Sequence, residues 1–121
     1  MATSRSDILQ YAKKKYGTEP EYLWVKYPTY AILRHGDNRK WYALLGDVKA
    51  STIGLSGNEM VDILNVKCEP DVIEFLLQQD GIISAYHMNK KNWISVILSS
   101  NIESEKIFGL LDNSYKLTQK R

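Results

Sequence analysis

The chain of 121 residues holds one cysteine, three prolines and two histidines, and each scarcity removes a class of protein. A lone thiol closes no internal disulfide, and Cys68 has no second cysteine with which to form a Cys-x-x-Cys zinc or redox motif. The fold is therefore predicted to stand without covalent or metal staples, in a reducing compartment, the cytoplasm. Two histidines leave little material for a Cys-His or Ser-His-acid site, and neither lies in a recognisable catalytic signature. No apolar run nears the roughly 18 residues needed to cross a bilayer, and the first ten residues lack the apolar core of a signal peptide. A soluble protein with no membrane partner is expected. One-signed charge is missing too: 16 Lys and Arg against 14 Asp and Glu leave a formal +2, which excludes a histone-like polycation.

What is present is a folded domain. Hydrophobic residues make up 44% of the chain, and 8 Tyr, 3 Trp and 2 Phe supply large core side chains. Without repeats, low-complexity tracts or a Gly/Ser-rich linker, residues 1–121 read as one domain. A helix is predicted from Ser4 or Ser6 as N-cap, with Asp7 in its first turn, Ile8, Leu9, Ala12 and Tyr16 on one face, and Gly17 as its stop. A second begins at Pro70, suited to the first helical position, with Val72, Ile73, Leu76 and Leu77 as its buried stripe. A third runs from about Glu103, where Ile107, Leu111 and Tyr115 recur every four residues.

Strand-like segments rich in aromatic and aliphatic residues occupy 23–26, 29–35, 40–46 and 60–66. The turn signal His35-Gly36-Asp37-Asn38 predicts a hairpin between the second and third of them. Residues 84–88 and 93–99 flank Asn89-Lys90-Lys91-Asn92 as a second hairpin, with Ile94, Val96 and Leu98 toward the core and Trp93, Ser95, Ile97 and Ser99 on the other face. The predicted class is α+β, an antiparallel sheet with helices mainly on one face.

The near-neutral total conceals polarity along the chain. Residues 1–49 carry +4, residues 50–85 carry −5 and residues 86–121 carry +3. If the two hairpins share one side of the sheet, Arg34, Arg39, Lys40, Lys90 and Lys91 form a basic edge studded with Trp41 and Trp93, able to attract phosphates and offer ring planes to bases. Solvated turn residues beside ordinary hydrophobic anchors are the competing reading. Lys13-Lys14-Lys15 and the terminal Lys120-Arg121 are nonspecific basic runs of the same kind.

No catalytic, metal or cofactor motif is found. His35 is expected to close its turn, and His87, beside a polar turn, serves either function or packing. Cys68 precedes a helix N-terminus, which can lower a thiol pKa, but burial is the expected role of a lone cysteine. Gly54-Leu55-Ser56-Gly57 has GxxG spacing without the basic residues or flanking helices of a backbone clamp, and reads as a loop. Asp62, Asp71 and Asp80 are too dispersed to argue a metal site, and neither GxGxxG nor a P-loop occurs.

Lys67-Cys68-Glu69-Pro70, the string His87-Met88-Asn89-Lys90-Lys91-Asn92-Trp93 and Asp112-Asn113-Ser114-Tyr115 together resemble the MmcQ/YjbR family of small bacterial proteins. The resemblance covers essentially the whole chain and is weaker before Val61. Tyr86 stands before the histidine where the familiar form often has Arg, which removes one basic side chain. It implies an α-β(3)-α-β(2)-α order similar to the secretion-chaperone-like fold, no catalytic residue and no cofactor. It also implies a DNA-binding label that rests on likeness to a double-wing domain of a phage transcription factor, a fold analogy. Carried over onto this chain, the surface consists of His87, Asn89, Lys90 and Trp93, with Lys91 added as the adjacent cation. Two functions follow as expectations: a weak DNA-binding module, or a protein-binding adaptor that uses an exposed sheet face or edge.

Overall fold

The structure, a computed structural model, describes residues 3–119; the basic pair Lys120-Arg121 lies outside them. The elements are α1 (Arg5–Tyr16), β1 (Ala31–Arg34), β2 (Trp41–Lys49), a 3-10 turn (Ala50–Ile53), β3 (Met60–Lys67), α2 (Pro70–Leu76), β4 (Ile82–Ser84), β5 (Trp93–Ile97) and α3 (Ser104–Thr118). Five strands pair antiparallel in the order β1-β2-β3-β5-β4. The predicted α+β class holds, and so does the α-β(3)-α-β(2)-α order that the resemblance implies.

Local chemistry sets the helix limits. The Ser4 hydroxyl accepts from the Asp7 backbone N–H at 3.0 Å while the Asp7 carboxylate accepts from that of Ser4 at 2.9 Å, a reciprocal capping box. Gly17 ends α1 at φ +69, a left-handed conformation that costs glycine nothing. Pro70 opens α2 as predicted, but only Ile73 and Leu76 of its stripe are buried. Val72 and Leu77 are each one residue, about 100° of helix, away from them, and both are exposed.

All three helices pack on one face of the sheet. Ile8 and Ala12 of α1, Ile73 and Leu76 of α2, and Ile107 and Leu111 of α3 share one cluster with Leu33, Leu45, Leu64, Val66, Ile94 and Val96. Leu98 joins them, so the predicted inward set of the last strand is the observed one.

A β-bulge decides what the opposite face carries. Leu33 pairs with Ala43 but Arg34 pairs with Trp41, which leaves Tyr42 as the extra residue. Tyr42 and Ala43 therefore both join the helix-side core, and Trp41 moves to the open face beside Ile32 and Leu44. The β2–β3 ladder ends at Ala43 and Val66, just short of the bulge. There the Ser114 hydroxyl donates to the Tyr42 carbonyl at 2.6 Å and accepts from the Lys67 N–H at 2.9 Å, satisfying both groups from α3.

Two expected strands are absent. Glu21 makes an isolated two-bond bridge to Ile32, after which residues 23–26 leave β1 as a bend with Leu23 and Val25 exposed and only Trp24 turned inward. Pro20 and Pro28 flank the segment and cannot donate to a ladder. The strand expected over 84–88 is instead β4, which stops at Ser84, because residues 85–88 peel away from the sheet and His87 takes φ +66, incompatible with extended backbone.

Candidate nucleic-acid interface

The face of the sheet without helices is covered by chain instead. Ile32, Leu44, Asn65 and Ser95 form a row across four strands of that face by register. Asn65 and Ser95 are buried polar residues with a stated purpose. The Asn65 amide donates to the Leu44 carbonyl at 3.4 Å, the Ser95 hydroxyl donates to the Asn65 side-chain oxygen, and the Ser95 oxygen accepts from the Tyr86 N–H at 2.9 Å. This chain of bonds holds residues 85–88 across the open face. Tyr86 packs there on Val48, Ile63 and Ile97, and Met88 on Ile32, Leu44 and Trp41. His87 lies between them and is exposed, its ring 4.0 Å from that of Tyr86 and 6.2 Å from that of Tyr30. A positive φ in a β-branched-free but bulky residue persists only where its surroundings hold it.

Ser95→Ala removes the only side-chain acceptor for the Tyr86 N–H while leaving the strand intact. The expected result is a loss of about 1–2 kcal/mol in stability and faster amide exchange at Tyr86 and its neighbours. Unchanged exchange at Tyr86 would show that the loop is fixed without this bond, by the packing of Tyr86 and Met88 and the Lys90 contact to Ala85.

Between this loop and residues 24–30 lies an aromatic cleft of 260 Å³, walled by Trp24, Tyr27, Tyr30, Trp41, His87 and Met88 over Leu44. The Trp24 ring stands nearly perpendicular to Trp41 at 5.8 Å and to Tyr30 at 6.3 Å, so three rings make adjoining walls. Gly46 on β2 permits this: a Cβ there would lie 3.0 Å from the Tyr30 ring. Past Tyr27, Tyr30 and His87, which are shared, a second hollow of 400 Å³ runs on to Lys26, Lys49 and Asp47. The Asp47 carboxylate accepts from the Thr29 hydroxyl at 2.6 Å.

The structure brings the sequence-identified residues to one end of the sheet in differing conditions. Arg34 pairs with Trp41 at that end of β1–β2, and Trp93 pairs with Lys67 at the same end of β3–β5, so both polar turns emerge there. Trp41 and Trp93 are half-buried, and Trp93 shares the open face with Ser95 by strand alternation. Arg34 is committed elsewhere: its Nε donates to Glu21 at 2.6 Å, a contact that holds the Glu21 carboxyl below its ordinary range and the guanidinium above its own. Arg39, at φ +64 in the turn, lies 3.8 Å from the same carboxylate. Lys90 straps the loop, donating to the Ala85 carbonyl at 2.9 Å. Asn89 builds the turn, since its side chain accepts from the Lys91 N–H at 2.8 Å and its carbonyl from the N–H groups of Asn92 and Trp93. Lys40 and Lys91 are exposed, and neither ammonium is paired with a carboxylate among the described residues.

Sequence reasoning missed Trp24, Tyr27, Tyr30, Lys26 and Lys49. The available signal was the density of the run Tyr22-Leu23-Trp24-Val25-Lys26-Tyr27-Pro28-Thr29-Tyr30, which reads as a strand when only hydrophobicity is considered. His35 and Cys68, the other chemically active candidates, are structural. His35 closes its turn through its N–H to the Lys40 carbonyl, and its buried ring lies between Tyr42 and Tyr115. His35 Nε2 and the Thr118 hydroxyl share a hydrogen bond at 2.8 Å, and the same hydroxyl lies 2.9 Å from the Ser114 carbonyl. Cys68 is buried, and burial, with Glu69 beside it, pushes its thiol up to about 11, the reverse of activation by a helix terminus. Among the described residues no His/Cys/Asp/Glu group is arranged to hold a metal ion, and no helix is long and apolar enough to cross a membrane.

Comparison with known proteins places this geometry among relatives. The YjbR family model matches residues 13–117. The chain is 43% identical over 116 residues to Uncharacterized protein YyaQ of Bacillus subtilis (strain 168), covering 96% of this chain and 98% of that one. A crystal structure of a Pseudomonas syringae protein superposes with a TM-score of 0.95 at 43% identity, over 97% of this chain and all of the other. A Deinococcus radiodurans protein with a DUF419 domain shares the fold, with a TM-score of 0.74 at 22% identity over 100% of this chain and 81% of its own.

Proposed function

Because the chain belongs to the YjbR family and carries cations and aromatic rings at one end of an open sheet face, we propose that it is a non-enzymatic, cytoplasmic DNA-binding protein. The observation that carries this reading is the shared polarity of the two turns: residues 35–40 and 89–92 leave the same end of the sheet, beside Trp41 and Trp93. Lys40 and Lys91 supply free positive charge to phosphates, while Lys90 and Asn89 serve the interface by building the loop that presents His87. Arg34, neutralised by Glu21, contributes shape rather than charge. No catalytic role is assigned: His87 is exposed at the edge of the aromatic cleft, and among the described residues its ring has no hydrogen bond to a nucleophile or a carboxylate.

With so few phosphate contacts, affinity is modest and falls steeply with salt. Lys40→Ala combined with Lys91→Ala is expected to weaken binding to DNA oligonucleotides by about tenfold at low salt. It should also flatten the dependence of log K on log salt by roughly two contacts. Absence of binding at low salt, or a double variant equal to the native chain, overturns the reading.

A protein-binding adaptor is the second reading, and a specific observation favours it. Tyr22, Leu23, Val25 and Tyr27 are exposed in a single run, Val25 to 97%, and Phe75 on α2 is 73% exposed. Recovery of one partner protein from cell extract, insensitive to nuclease and lost in Val25→Asp, would move the assignment to this class.

A further inference from the structure

We propose that the strand this protein binds is single-stranded DNA, with one unpaired base seated in the cleft of Trp24, Tyr30 and Trp41 and the adjoining phosphate in the hollow of Lys26 and Lys49. The inference rests on the DNA-binding reading and assigns to it a site formed by residues outside the two turns.

Three observations converge. The cleft is walled by aromatic rings, with Trp24 nearly perpendicular to both Trp41 and Tyr30 in edge-to-face pairs. A planar ring system entering it stacks on one wall and meets the edges of the others, and Met88 and Leu44 close the apolar floor. Paired bases in a duplex keep their faces covered by their neighbours, so only an unstacked base presents a face to such walls. Next, the cleft is continuous with the second hollow through Tyr27, Tyr30 and His87, and that hollow has two lysines among its lining residues. Its one carboxylate, Asp47, is already engaged by the Thr29 hydroxyl. An apolar aromatic compartment followed by a cationic one has the order of base and backbone along a nucleotide, whereas an apolar segment of a protein partner has no use for the two ammonium groups. Last, the loop that closes one side of the cleft is fixed by bonds from the sheet beneath it, Tyr86 N–H to Ser95 and Ser95 to Asn65, so the wall of His87 and Met88 stands in place before any ligand arrives.

The experiment compares one labelled oligonucleotide in three forms: single-stranded, annealed to its complement, and single-stranded with abasic sites in place of its bases. Nitrogen–proton correlation spectra follow the three indole N–H groups at the same time. The expected result is single-strand binding about tenfold tighter than duplex binding, a comparable loss on removing the bases, and shifts of the Trp24 and Trp41 indole signals. Lys26→Ala with Lys49→Ala, both exposed, should lower single-strand affinity by about tenfold with the fold unchanged. Equal affinity for duplex and single strand with unmoved Trp24 and Trp41 signals overturns this inference and leaves DNA binding through the turns standing. Absence of binding to any form removes both. Shifts produced equally by a free mononucleotide at the same concentration would make the cleft a nucleotide site and overturn the assignment to a strand.

Discussion

Gly81→Ala is expected to destabilise the protein by about 3 kcal/mol, lowering its thermal midpoint by roughly 10 °C, although glycine and alanine differ by one methyl group. Gly81 sits where the chain turns from α2 into β4, at φ +90. A Cβ at that position would collide with the Ser100 hydroxyl and come within 2.6 Å of Ser100 Cβ and 2.9 Å of Ile102 Cδ1. The backbone is not free to retreat, because the Gly81 carbonyl accepts from the Ile97 N–H at 2.8 Å and so joins the end of β5 to the turn. The left-handed conformation costs an L-residue about 1 kcal/mol and overpacking beside the buried Ile102 adds about 2. Gly57→Ala separates the two terms. Gly57 has φ +97 with nothing within 4 Å of its Cβ position, so that variant should lose only about 1 kcal/mol in a urea titration. Equal losses in the two variants would remove the packing half of the account.

The outline of the fold is carried by local signals that the structure respects. Ser4, Asp7 and Gly17 bound α1 through their own hydrogen bonds, Pro70 starts α2, and alternation in β5 sends Ile94, Val96 and Leu98 to the helices. What local signals do not carry is the bulge at Tyr42. Simple alternation from Leu44 would send Tyr42 to the open face and Trp41 to the core. Register between β1 and β2 reverses this, because Tyr42 fills the space against Tyr16, His35 and Tyr115 on the helix side. Two of those three side chains, Tyr16 on α1 and Tyr115 on α3, are distant in sequence. Residues 23–26 fail for a related reason: their composition suits a strand, but the edge of β1 offers pairing only to Glu21.

The candidate site was legible at its rim and hidden at its centre. Turn residues such as Lys40 and Lys91 announce themselves by charge, and His87 by its place before a polar turn. Several of the residues carrying the family resemblance prove to be builders of structure: Asn89 closes its turn, Lys90 straps the loop, Ser114 bridges β2 and β3, and Tyr115 stacks on Tyr16 and packs on His35. The cleft itself joins Trp24, Trp41 and Met88 from three separated segments, and Trp41 reaches it only because of the bulge. The same holds for charge. A sum over residues 1–49 nets Glu21 against the cations but does not say which of them it pairs with, and the structure sets it on Arg34, thirteen positions away.

Asp112→Ala is expected to cost about 3 kcal/mol, because this carboxylate is where α3 grips α1. It accepts from the Tyr11 hydroxyl at 2.7 Å, from the Tyr16 hydroxyl and from the Lys15 ammonium at 3.0 Å, while Tyr11 stacks on Phe108 and Tyr16 on Tyr115. Removing the acceptor strands two phenols in a partly buried seam, with a cost of about 1–2 kcal/mol each. Lys15→Ala, at an exposed position, should have a much smaller effect. Burial alone would raise the Asp112 carboxyl, but the hydroxyls of Tyr16 and Tyr11 and the Lys15 ammonium outweigh it and hold the group below its ordinary value. A carboxyl depressed in the folded state stabilises it fully above its unfolded pKa, near 4, and that contribution fades as pH falls below this value. His35 acts earlier. Its burial lowers its pKa, so the unfolded chain takes up a proton near pH 6.5 that the folded chain refuses, and stability declines as pH drops through that value. Urea titrations from pH 7 to pH 3 should therefore show two declines in the native protein. Asp112→Asn should shrink the lower one, leaving the share that Glu21 holds through Arg34, and His35→Gln should remove the upper; a decline unchanged in its variant would show that the replaced group does not contribute to it.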